Sequence, residues 1–167
     1  MSSLPKPKRP SKDETPAASG AEVTLYERDF YAWANEQAAL LRAGRLNDAD
    51  IEHIAEEIES MGRTEKRELV SRLKVLLTHL LKWRFQPTLR GTSWRLTIEE
   101  QRREVADHMA DNPSLKDRLP EAMASAHASA SLVAARETGL DRATFASAGT
   151  WSFEQVLADD FWPDDGT

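Results

Sequence analysis

The segment Leu69-Val70-Ser71-Arg72-Leu73-Lys74-Val75-Leu76-Leu77-Thr78-His79-Leu80-Leu81-Lys82-Trp83 decides the fold. Its residues Leu69, Leu73, Leu76, Leu80 and Trp83 recur every three to four positions, the period of a helix that buries one face. Pro87 forbids its extension. Upstream, Gly62 and Thr64 predict a break between this helix and one running from Asn47 or Asp50 to Met61. That earlier helix has Ile51, Ile54, Ile58 and Met61 as its inner line. A single bent helix over 50–85 is the rival reading, because Met61, Glu65 and Leu69 keep the same register.

The same period extends in both directions. Thr24 with Glu27 is a capping box, and Gly44 is a left-handed stop. Between them Tyr26, Phe30, Trp33, Gln37 and Leu41 share a face, predicting a first helix. After the loop Gln86–Thr92, Ser93 or Thr97 starts another, the latter forming a capping box with Glu100. Its inward line is Trp94, Ile98, Gln101, Val105 and Met109. Asn112, Pro113 and Ser114 interrupt the chain. Pro120 opens an alanine-rich helix ending at Gly139, and Ser152 with Gln155 caps a short last one. No stretch alternates as a strand does. The expectation is an all-α fold, a compact bundle of five or six helices over residues 24–167 as a single domain. Met1–Val23 has four prolines and no aromatic residue, and is expected to be a disordered tail.

Composition narrows the function classes. The chain of 167 residues contains no cysteine, which excludes disulfides, cysteine zinc sites and thiol nucleophiles. No apolar run is long enough to span a membrane, and the N-terminus lacks the apolar core of a secretory signal. A cytoplasmic location without membrane association is therefore expected. The net charge of −6 conceals a pattern. Residues 46–61 carry −6 and residues 62–104 carry +6. Either neighbouring helices compensate one another, or the basic stretch contacts nucleic acid through Arg84, Arg90, Arg95 and Arg103 beside Trp83, Phe85 and Trp94.

Seven short motifs stand in order along the chain. They are Asp29-Phe30-Tyr31-Ala32-Trp33, Glu56-Glu57-Ile58-Glu59, His79-Leu80-Leu81-Lys82-Trp83, Ser93-Trp94, Glu100-Gln101-Arg102, Asn112-Pro113-Ser114-Leu115 and Asp160-Phe161-Trp162-Pro163. This series resembles the bacterial domain of unknown function 29 over residues 25 to 163. The resemblance implies a helical fold and brings no established activity, substrate or catalytic residue. The sequence departs from the family's pattern at Ala146–Thr150, where prolines are usual, and at His127, where an aromatic is usual.

Candidate sites follow from polar residues on apolar lines. His79 sits among leucines, and Gln37, Gln101 and His108 interrupt similar lines. With Glu56 or Glu57 as the charged member and Arg102 as counter-ion, they are candidates for a polar pocket or a buried register-fixing network. No Glu-x-x-His pair, His-Glu-x-x-His, glycine-rich phosphate loop or Gly-x-Ser-x-Gly is present, so no cofactor is implied. The leading expectation is a non-enzymatic module that binds a protein partner or a copy of itself. The alternatives are a nucleic-acid-associated protein using residues 62–104 and a small-ligand or metal site around His79.

Overall fold

The computed structural model describes residues 22–148 and 151–164. The tail expected over residues 1–23 lies outside them, apart from Glu22 and Val23. Among the described residues every regular element is helical, and four helices are long: α2 (Phe30–Arg42), α3 (Ile51–Phe85), α4 (Thr92–Asp111) and α5 (Leu119–Thr138). Three are short: α1 (Leu25–Arg28), α6 (Arg142–Ala146) and α7 (Phe153–Leu157). Contacts group the chain into two compact units, one ending at Ile54 and the other starting at Ala55.

In the first unit the Thr24–Glu27 capping box forms, with the Thr24 N–H donating to Glu27 Oε2 at 3.0 Å. The single helix expected from there to Gly44 is instead interrupted. Asp29 ends α1 and caps α2, its carboxylate accepting from Ala32 N–H at 3.0 Å. An aspartate N-cap satisfies an otherwise orphaned amide, which outweighs the continuity of the apolar line. Gly44 stops the chain with φ +70°, as expected. Asp50 then joins the elements of this unit. Its carboxylate accepts from Trp33 Nε1 at 3.2 Å and from His53 Nδ1 at 2.7 Å, and its N–H donates to Gln37 Oε1 at 2.7 Å. The His53 ring stacks on Tyr26, with centroids 3.9 Å apart.

The break expected at Gly62 is absent, since α3 is continuous for 35 residues. A glycine in a helix interior costs about 1 kcal/mol relative to alanine. That is less than the packing which holds the rest of α3 in register. In the second unit Leu69, Leu73, Leu76, Leu77, Leu80 and Leu81 of α3 are fully buried. They pack with Ile98 and Val105 of α4 and with Ala122, Ala126, Ala130 and Ala134 of α5. The alanines present no bulk at the contact, which lets α5 lie close. Phe145 of α6 and Val156 of α7 complete this core. The capping box expected at Thr97 does not form a terminus, because α4 starts five residues earlier, at Thr92 with Gly91 as its cap. Ser152 and Gln155 do form theirs, and Gly139 ends α5 with φ +74°.

Candidate functional site

Of the polar residues anticipated as a pocket, Gln37, His79, His108 and Arg102 each take a partner of their own. Gln37 is in the first unit and is committed to the Asp50 amide. In the second unit, His79 donates from Nδ1 to the Val75 carbonyl one turn earlier on α3, at 2.9 Å. His108 donates from Nε2 to the Glu65 carbonyl at 2.9 Å, joining α4 to α3. Glu56 is exposed, while Glu57 and Gln101 are half-buried.

Arg102 has the most enclosed charge among them, with only 3% of the residue exposed. Nε donates to the Val156 carbonyl at 2.9 Å, and the two terminal nitrogens reach the carbonyls of Asp159 and Phe161. Its guanidinium also lies over the Trp162 ring, 5.1 Å from the centroid. These carbonyls lie in the last turn of α7 and just after it, where no further helical amide is available to them. Burial pushes the Arg102 pKa down, and Asp159, Asp160 and Glu99 oppose the shift. The side chain therefore fastens the Asp160-Phe161-Trp162-Pro163 motif to α4.

The arginines anticipated for nucleic acid are distributed differently. Arg90 donates to the Trp83 carbonyl at 2.7 Å, lies over the Trp83 ring and pairs with Asp164 at 3.1 Å. Arg95 pairs with Glu99 at 3.4 Å, and Arg84 lies over Phe85. Arg103 is exposed in a shallow depression with Ser93, Leu96 and Glu100. Further cations of the basic stretch are also matched: Lys66 to Glu121 at 2.6 Å, Lys82 to Glu137 at 2.8 Å, and Arg72 to both Glu68 and Glu104. Among the described residues no three His, Asp or Glu side chains gather as a metal ion requires. No described helix is long and apolar enough to cross a membrane.

The first half of α3 carries apolar surface that the packing of the second unit does not explain. His108 and Asn112, at the end of α4, meet α3 at Glu65. Glu121, in the first turn of α5, meets it at Lys66. The turns of α3 before Glu65 project beyond those ends. Ile58 and Met61, expected to face inward, are 64% and 69% exposed, and Ile51 on the same helix is 51% exposed. This corrects the sequence expectation, which assigned them to a core line. Helical registers recur about every 7 and 11 residues, so Ile58 occupies the face that Leu69 and Leu76 bury further along. The helix presents a core-type face where no helix of the second unit covers it. Gly62 lies on that face, and a Cβ built there would meet no atom within 4 Å. A groove lined by Arg63, Lys66, Arg67 and Val70 of α3 with Glu121 of α5 flanks it. Within it Lys66 holds the Glu121 carboxyl below the usual carboxylate range, chiefly by hydrogen bonding.

Periodicity pointed to these residues but could not say what would cover them. The Asp50–His53–Trp33 cluster was missed as well, although Asp50 stands three residues before His53 at the start of a predicted helix.

No curated protein and no solved structure matches the chain. A family match is present over residues 25–162, spanning every motif quoted above up to Trp162. The chain belongs to the family described as domain of unknown function DUF29.

Proposed function

We propose that this chain works as a helical interaction module, binding another protein through the first half of α3 rather than by catalysis. The observation that supports the reading is the exposure of Ile58 and Met61 on the face that becomes core after Glu65. An apolar side chain of this size contributes about 1.5–3 kcal/mol when fully buried, so a partner covering both has a substantial driving force. Contiguous exposed apolar surface beside charged residues is the usual character of a docking face. The matched cations of residues 62–104 favour this reading over nucleic-acid binding, which needs uncompensated positive charge.

The test is a photo-crosslinking amino acid placed at position 58 in the full chain inside cells, with exposed position 116 as control. Heavier protein adducts at 58 and not at 116 are expected. Equal adducts at both positions, or none at 58, contradict the proposal.

A further inference from the structure

We infer that the exposed face of α3 pairs with the same face of a second copy of this chain. The two helices run antiparallel about a two-fold axis level with Met61. The inference rests on the interaction reading above and names the partner.

The apolar part of the contact is Ile58 and Met61: the two-fold places Met61 against its own counterpart and sets one Ile58 to each side of that pair. The order of charges along α3 sets the direction. Glu56, Glu57 and Glu59 stand on the N-terminal side of Met61, while on the C-terminal side Arg63, Lys66 and Arg67 outnumber Glu65 and Glu68. Parallel copies would place like charges side by side. Antiparallel copies place Glu59 beside the partner copy's Arg63, and symmetry repeats the pair. Glu59, Arg63 and Lys66 also share one flank of the apolar face, and antiparallel pairing brings matching flanks together. Within its own chain Arg63 reaches Glu59 only at 3.6 Å, with both side chains more than half exposed.

Gly62 is consistent with close approach of a second helix. It sits inside α3 at a cost to helix stability, and no neighbouring atom of the described residues requires a missing side chain. The other occupant the chain could supply is residues 1–21. Their only large apolar side chains are Met1 and Leu4, too few to cover this face. The overlap of Ala55 to Lys66 is about three helical turns. Such a contact is smaller than a standard stable interface, so the dimer is expected to dissociate in the micromolar range.

The test is sedimentation velocity on the purified full chain over about 1–300 µM, bracketing that range. A concentration-dependent dimer is expected, weakened at least tenfold by Ile58→Glu. A charge exchange tests the direction. A chain carrying Glu59→Lys, and another carrying Arg63→Glu, should each be monomeric alone and dimerise when mixed. Circular dichroism confirms that each variant keeps its helicity. A wild-type chain monomeric throughout, or mixed variants that stay monomeric while wild type dimerises, overturns antiparallel self-pairing. If the chain is monomeric but position 58 still crosslinks to a different protein in cells, self-pairing fails and the interaction reading stands. If position 58 also gives no adduct, both fail.

Discussion

Arg102 is buried with its charge spread over three backbone carbonyls rather than over a carboxylate. Hydrogen bonds from a charged donor contribute about 1.5–3 kcal/mol each before desolvation is subtracted, and losing the donor also strips the Val156 and Phe161 carbonyls of it, while that of Asp159 keeps the Trp162 indole N–H. Arg102→Met should therefore destabilise the second unit by about 3 kcal/mol, read as a fall in thermal midpoint with altered Trp162 fluorescence. Arg102→Lys should recover little, because one ammonium lacks the planar fork that reaches the separated carbonyls. An unchanged midpoint in Arg102→Met would show that the clamp is dispensable. His127 presents the opposite case. Among the described residues its Nε2 is buried without a hydrogen-bond partner, and an apolar cavity lined by Leu77, Met123 and Trp151 adjoins the ring. An unsatisfied buried polar atom costs about 1–3 kcal/mol, so His127→Phe should raise stability by about 1 kcal/mol in chemical denaturation. A loss of stability would mean that the cavity cannot accept the larger ring.

Helix ends were legible where the signal is local and failed where packing decides. Thr24 with Glu27, Ser152 with Gln155, Gly44 and Gly139 satisfy or release backbone groups within a few residues, and all four act as their chemistry suggests. Thr97 with Glu100 has the same pattern but lies inside α4, because Gly91 already provides the start. Gly62 has the chemistry of a stop and does not act as one. Gly62→Ala should stabilise the isolated chain by about 0.5–1 kcal/mol, since the new methyl meets no atom. It should weaken self-association in the same preparation, a combination that a purely local helix effect does not produce. The start of α3 makes a separate prediction. The His53 ring, with smaller help from Trp33 and the His53 amide, holds the Asp50 carboxyl below its ordinary value against the opposing effect of burial. The folded form therefore gives up its proton more readily than the unfolded chain does. The stabilisation is complete above the unfolded value of about 4 and is lost as pH falls through the folded value. Acid titration of Trp33 indole and His53 ring signals by NMR should show this step, and Asp50→Asn should remove it. A step persisting in Asp50→Asn would assign it to another carboxyl.

Across the molecule, the block pattern of charge was visible in the sequence, and several cations of its basic stretch, Lys66, Lys82, Arg72 and Arg90, are held in ion pairs. Those partners lie far along the chain and outside the acidic block 46–61, at Glu121, Glu137, Glu104 and Asp164, so sequence alone could not assign them. The all-α class was legible because a helix advertises its buried face by period. The candidate site was only half legible for the same reason: Ile58 and Met61 announce an apolar face, whereas the positions at which α4 and α5 stop leave it open. The central claim is that a second copy covers this face. Hydrogen exchange of the α3 amides between Ala55 and Thr64, followed as protein concentration rises, tests it most directly. Protection should increase with concentration in that segment, while the already buried turns from Leu69 onward stay unchanged. Exchange in Ala55–Thr64 that is independent of concentration would contradict it.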